Sequence, residues 1–198
     1  YIRQLSDEEL YNRTLPFITG TGDAALDINI SEEFPAPHVG SGYSGVALGD
    51  DGEPYCVDKS MNMSGTDVKK ALLLLMPLIK ERLKYLTDAA EMVHFMFTEP
   101  TVPAPENIIP KKLDAAKTKE ILTMAKDFVA ALQPLTHEEA ENFARCTAEK
   151  LGVKLGDFMM PIRMAVTGSR ISPPLIGSIL ILGIPRSLER IERALASL

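Results

Sequence analysis

The chain has 198 residues, 45% of them apolar and 24% charged, with 21 Lys and Arg against 27 Asp and Glu for a formal charge of −6. This composition excludes a wholly disordered or collagen-like chain, and the length suits one domain or two small ones with a real core. The apolar runs Ala71–Met76 and Ile179–Leu182 fall far short of the ~18 residues a membrane span needs, so no membrane partner is expected. The opening Tyr-Ile-Arg-Gln-Leu-Ser lacks a signal-peptide pattern, and without an initiator Met the chain is expected to be a piece of a longer protein. Cys56 and Cys146 form no disulfide framework, which favours a reducing, cytoplasmic setting. The charge is uneven: residues 1–60 carry −8, residues 61–198 carry +2, and residues 150–198 alone carry +4. A polyanion partner therefore suits the C-terminal end and not the N-terminal one.

The first element is a helix over about Asp7 to Ile18. Ser6 and Glu9 have capping-box spacing, with Leu5 and Leu10 placed as a hydrophobic staple. Residues 19–66 hold 8 of the 13 glycines and no helical period. Within them Val46-Ala47-Leu48 and Tyr55-Cys56-Val57 flank an Asp51-Gly52 turn signal, so a short β-hairpin fits in a long loop. From Thr66 the apolar residues Leu72, Leu75, Met76, Ile79, Leu83, Leu86, Ala90 and Val93 recur every three or four positions, one buried stripe. Pro77 predicts a kink or a break, and Thr87 is placed to cap a further piece ending near Phe97. Pro100, Pro103, Pro105 and Pro110 mark an extended connector. Helices are then predicted over Lys111–Leu132, from a Thr136/Glu139 capping box to Gly152, over Gly156–Thr167 before Gly168, from a Ser172 cap with Pro173 at the first helical position to Gly183, and from Pro185 with Leu188, Ile191 and Leu195 inward. The class is all-α, two small helical bundles joined near residues 125–135, with a long insertion that has room for the hairpin.

Chemistry-bearing motifs are sparse. Gly40-Ser-Gly42-Tyr-Ser-Gly45 matches G-x-G-x-x-G but lacks the preceding strand and following helix that a phosphate site requires. His38, His94 and His137 have no metal-ligand spacing, and neither cysteine has a C-x-x-C partner, so no metal site is expected. A stand-alone enzyme would have to use His94 or Cys146, neither of which has an evident base. The stretch from Lys154 to Ile176 is more informative. Arg163 lies among Met160, Ile162, Met164 and Val166, where an arginine is either paired with a carboxylate or aimed at a ligand. A helix start at Ser172–Pro173 would offer N–H donors, and Leu175 with Ile176 an apolar platform, an arrangement suited to unstacked RNA bases. On these residues alone, a capped helical corner with a surface arginine is the simpler reading.

The blocks Lys154-Leu-Gly, Met160-Pro-Ile-Arg163-Met-Ala-Val-Thr-Gly168, Ser172-Pro-Pro-Leu-Ile176, Leu182-Gly183 and Leu188-Glu-Arg-Ile-Glu-Arg-Ala-Leu195 closely resemble the C-terminal end of bacterial-type glutamyl-tRNA synthetases. Ala148–Gly156, Phe97-Thr-Glu-Pro100, Lys80-Glu-Arg82-Leu-Lys-Tyr-Leu86 and Tyr1-Ile-Arg3 resemble earlier blocks of the same region, so the likeness covers most of residues 1–18 and 70–198. The resemblance implies an anticodon-binding helix cage in two subdomains, 1–127 with the insertion at 19–66, and 128–198. It implies recognition of the anticodon loop of glutamate tRNA by a monomer, with no DNA partner. The class I ligase body, with its ATP and Mg²⁺, would lie upstream, and this piece would hold no cofactor and charge no tRNA alone. Lys59-Ser-Met-Asn-Met-Ser64 only superficially echoes a signature of that body. Arg82 falls where the family places an arginine reading the third anticodon base, and Arg145 and Arg163 match other anticodon-contacting arginines. Ser172, Pro173, Leu175 and Ile176 match the loop and helix start that hold the central and first bases. Met160 stands where some members have glutamine, and Ile176 where an aromatic can occur. The insertion is longer than the family's connection, its acidity argues against RNA contact, and it is expected to be dispensable for the helical fold. The alternative is a helical protein-interaction scaffold of the same fold without RNA binding.

Overall fold

Helix starts in this chain are set by the side chains just before them. Ser6 Oγ accepts from the Glu9 N–H (3.1 Å) while the Ser6 N–H donates to the Glu9 carboxylate (2.7 Å). Ser64 with Asp67 (3.2 and 2.9 Å) and Thr136 with Glu139 (3.3 and 2.8 Å) repeat the arrangement. These bonds occupy N–H groups that a helix start leaves without internal partners. They also hold the three carboxyls below their ordinary range, through the backbone N–H first for Glu9 and Glu139 and through the Ser64 hydroxyl first for Asp67.

The computed structural model describes residues 1–20 and 44–198. His38 and, of the glycine motif, residues 40–43 lie outside the described residues. The helices are α1 (Asp7–Ile18), α2 (Gly65–Lys80), α3 (Ala89–Phe97), α4 (Pro105–Ile108), α5 (Ala115–Ala130), α6 (His137–Lys150), α7 (Leu155–Thr167), α8 (Leu175–Leu182) and α9 (Ile184–Ser197). Among the described residues the one sheet is an antiparallel ribbon of β1 (Val46–Leu48) and β2 (Pro54–Cys56), pairing Val46 with Cys56 and Leu48 with Pro54. The all-α expectation and its hairpin therefore both hold. None of the described helices is long and apolar enough to cross a membrane.

Three local expectations are corrected. Pro77 sits exposed inside α2, one turn before its end, and the helix runs on to Lys80, so the break is absent. Thr87 is buried and does not cap α3; Asp88 stands at the cap position, and its carboxylate accepts from the N–H groups of Lys84 and Tyr85 in the preceding turn (3.2 and 3.1 Å). The helix expected from Lys111 starts at Ala115, because the Asp114 side chain accepts from the Lys117 N–H (2.7 Å).

By packing, the chain divides into Tyr1–Glu99 and Pro100–Leu198. The expected division at 127/128 falls inside α5, where Phe128 is fully buried in the core of the second unit. Its ring meets Phe143 and Phe158 edge-on, at centroid distances of 5.6 and 5.8 Å. A ring so enclosed ties α5 to α6 and α7. The same core includes Ile121, Leu122, Ile162, Val166, Ile179 and Ile191. In the first unit α1, α2 and α3 pack on one another through Leu10, Phe17, Leu72, Leu75, Ile79, Val93 and Phe97. Each fully buried aliphatic of this kind contributes about 1.5–3 kcal/mol.

The described part of the insertion belongs to that first core. Val46 and Met61 are buried, Ser44 donates its hydroxyl to the Ile18 carbonyl, and Cys56 Sγ lies 3.3 Å from the Phe97 carbonyl oxygen. Residues 44–66 are therefore not dispensable, contrary to the expectation for 19–66 as a whole. Gly45 sits at the closest approach. Its φ is +81°, and a Cβ there would stand 2.6 Å from the Phe97 carbonyl oxygen. Gly45→Ala should lower unfolding stability by about 1–3 kcal/mol, read from urea denaturation. An unchanged midpoint would mean that the ribbon is peripheral to the fold.

Candidate nucleic-acid interface

The corner between α7 and α8 begins where Gly168 takes φ +69° and ends α7, a left-handed cap that suits glycine. The Thr167 hydroxyl donates back to the Arg163 carbonyl (2.8 Å) and accepts from the Ser169 N–H (3.3 Å). Ser169 Oγ in turn donates to the Ile171 carbonyl (2.8 Å) and accepts from its N–H (3.1 Å). Arg163, one turn back on α7, reaches across. Its Nη1 donates to the Pro173 carbonyl (3.0 Å), to the Ser172 carbonyl (3.3 Å) and to Ser172 Oγ, which itself donates to the Pro173 carbonyl (3.2 Å). The arginine thus uses one end of its guanidinium on the main chain of the turn, a charge-assisted contact stronger than a neutral one.

The expected helix start at Ser172–Pro173 moves to Leu175, with Pro174 at the cap position. The reason is steric. A residue preceding proline is disfavoured in the α region, and here both Ser172 and Pro173 precede one. Ser172 and Pro173 are buried in the turn, and Leu175 and Ile176 are also buried, at 3% and 6% exposure. The last two consequently serve the core and form no apolar platform. The exposed apolar side chain of the corner is Ile171, at 66%, beside the exposed Arg170. Sequence reasoning passed over both.

Of the predicted residues, Arg163, Ser172 and Pro173 meet directly. Met160 is half-buried one turn before Arg163 on α7, and Arg145 is exposed on α6, which packs against α7. Arg82 belongs to the first unit, exposed in the turn after α2, where its N–H donates to the Ile79 carbonyl (2.8 Å). The second unit carries 13 Lys and Arg against 11 Asp and Glu, the first 8 against 16. Among the described residues no group of three His, Cys, Asp or Glu is placed to hold a metal ion. His94 is half-buried with Thr98 Oγ1 3.1 Å from its Nε2, His137 is exposed and pairs with Glu141 (3.1 Å), and Cys146 is exposed on α6.

A further arginine was missed. Arg190 on α9 is 1% exposed and donates Nη1 to the Val166 carbonyl (2.7 Å) near the end of α7. The only signal for it in the sequence is its register: it falls between Ser187 and Ala194 on the face that α9 buries.

A family model described as "Anticodon binding domain" matches residues 49–195. The chain is 42% identical to a glutamate–tRNA ligase of Treponema denticola over 99% of this chain and 35% of that protein. It is 35% identical to a glutamate–tRNA ligase of a Roseiflexus species over all of this chain and 32% of that one. Its fold is similar, at TM-score 0.54 and 19% identity, to a crystal structure of a glutamate tRNA ligase from Elizabethkingia meningosepticum in complex with its amino acid, over 100% of this chain and 30% of that one. The chain spans about a third of the length of the curated relatives it matches.

The turn itself can be tested without a ligand. Arg163→Met keeps the bulk of the stem and removes the donors. Hydrogen bonds to a charged group contribute about 1.5–3 kcal/mol, so amide exchange at residues 169–178 should quicken roughly 10- to 100-fold while exchange in α5 holds. Unchanged exchange in the turn would show that Arg163 does not order it.

Proposed function

Because the chain belongs to the anticodon binding domain family found in glutamate–tRNA ligases, we propose that it recognises the anticodon of glutamate tRNA as the C-terminal region of such a ligase. The observation that carries the reading is the α7–α8 corner: a turn held by its own arginine, with the start of a helix behind it, in the basic part of the chain. A turn ordered before RNA arrives loses little freedom on binding, so more of the contact energy appears as affinity.

In this reading the exposed residues of the turn, Arg170 and Ile171, meet an unpaired base or its phosphate, above the buried helix start at Leu175 and Ile176. Ser172 and Pro173, fixed by Arg163, shape the wall of that pocket, and Met160 lines it one turn back. Arg145, exposed on α6, and Arg82, from the first unit, supply forked donors for base edges. Each well-made bidentate pair contributes about 1–3 kcal/mol of discrimination. The chain does recognition and no bond chemistry. The whole ligase would join glutamate to tRNA in the cytoplasm with ATP and Mg²⁺, which supply the activation of the carboxylate, and the described residues here offer no cluster of ligands for that metal. Binding of one chain to one anticodon loop fits a monomer and needs no DNA partner.

The test is binding of a fluorescent anticodon stem-loop of glutamate tRNA to this chain. Binding should saturate, weaken steeply as salt rises, and fall about tenfold or more when an anticodon base is changed. Arg145→Ala should shrink that preference while leaving the melting temperature unchanged. No saturable binding, or equal affinity for both stem-loops, would contradict the proposal and favour a helical scaffold that binds protein.

A further inference from the structure

Arg190 is the largest fully buried side chain among the described residues, a cation at a position where α9 otherwise buries Ser187, Ile191 and Ala194. Burying a guanidinium is costly unless it is hydrogen-bonded. Its Nη1 donates to the Val166 carbonyl at 2.7 Å. That carbonyl is next to last in α7, and its helical donor would be the N–H of Arg170, which lies beyond the left-handed Gly168 where the helix has ended. The end of a helix carries partial negative charge, so a buried cation there is doubly favoured. Arg190 therefore caps α7 from a helix that follows it in the chain.

Lys126 on α5 pairs with Glu192 on α9 (2.7 Å), and Ile191, beside Arg190, is fully buried in the core. On the other side of the corner a Cβ at Gly168 would stand 3.0 Å from Pro100 Cβ, so the end of α7 has little room to drift. The turn is consequently held at both ends: Arg163 takes the carbonyls of Ser172 and Pro173, and Arg190 takes that of Val166.

We propose that Arg190 is a positioning residue for anticodon recognition: it touches no RNA and sets the end of α7 from which the reading turn departs. The proposal rests on the anticodon reading above. Arginine suits the role because its fork is more weakly hydrated than an ammonium and donates in a fixed direction. Lysine keeps the charge and part of the contact, and methionine keeps only the bulk.

The experiment compares Arg190→Met and Arg190→Lys with Ile121→Val or Ile121→Ala, whichever core variant on α5 matches the melting temperature of Arg190→Met. Two readouts are taken: amide exchange at residues 167–174 without RNA, and the ratio of affinities for the cognate and the base-changed stem-loop. Arg190→Met should quicken exchange in the turn at least tenfold and cut the affinity ratio to about threefold or less. Arg190→Lys should recover part of both, and the matched core variant should change neither. If Arg190→Met does not fold, the same comparison is made with Arg190→Lys alone, which should fall between the wild type and complete loss. Exchange and ratio no worse in the Arg190 variants than in the core variant would overturn the proposal. A wild-type chain that shows no preference for the cognate stem-loop defeats the anticodon reading instead, and the exchange data then decide whether Arg190 positions the turn.

Discussion

A guanidinium donating to main-chain carbonyls is the interaction on which the α7–α8 corner depends. Arg163 gathers Ser172 and Pro173, and Arg190 secures Val166 at the end of α7. Carbonyls at helix ends and in turns need donors, and in this chain the donors are charged and long enough to come from one turn or one helix away. The same choice explains why Arg163 was ambiguous in the sequence. An arginine among methionines and isoleucines must find oxygen, and the oxygen it finds through Nη1 is that of its own turn.

The fold was legible wherever its cause is local. The capping box at Ser6, the capping box at Thr136, and the glycines at 152, 168 and 183 act over four or five residues, and the helices they bound begin or end within a residue or two of expectation. The Asp51-Gly52 signal likewise placed the ribbon, with Gly52 at φ +79°. What depends on packing was not legible. Residues 125–135 looked like the joint between bundles, yet Phe128 among them is locked between Phe143 and Phe158, and the packing boundary lies earlier, at the proline run that begins with Pro100. Thr87 resembled a cap but was taken into the core, and the Asp88 carboxylate turns back to the N–H groups of Lys84 and Tyr85 in the preceding turn.

The candidate site divides along the same line. The resemblance to a synthetase end picked out Arg163, Ser172 and Pro173 together, and they are bonded to one another. Leu175 and Ile176 were expected to face a ligand, but α8 is so uniformly apolar that its first residues are drawn inward. Arg190 escaped notice because an arginine in Leu188-Glu-Arg-Ile-Glu-Arg reads as surface, and its partner lies 24 residues earlier at a helix end. The ribbon is the converse case: loop-like in composition, yet its Val46 is buried and its Gly45 approaches the Phe97 carbonyl.

In the proposed mode of recognition the turn is ordered first and meets RNA second. Its most direct test is a backbone amide NMR titration of this chain, nitrogen-labelled, with the unlabelled glutamate anticodon stem-loop. Sharp, dispersed resonances are expected for residues 168–178 in the free chain, with shifts on titration concentrated there and around Arg145 and Arg82. Resonances that are broadened or missing in the free chain and sharpen only with RNA, or shifts that leave the α7–α8 corner untouched, would contradict it.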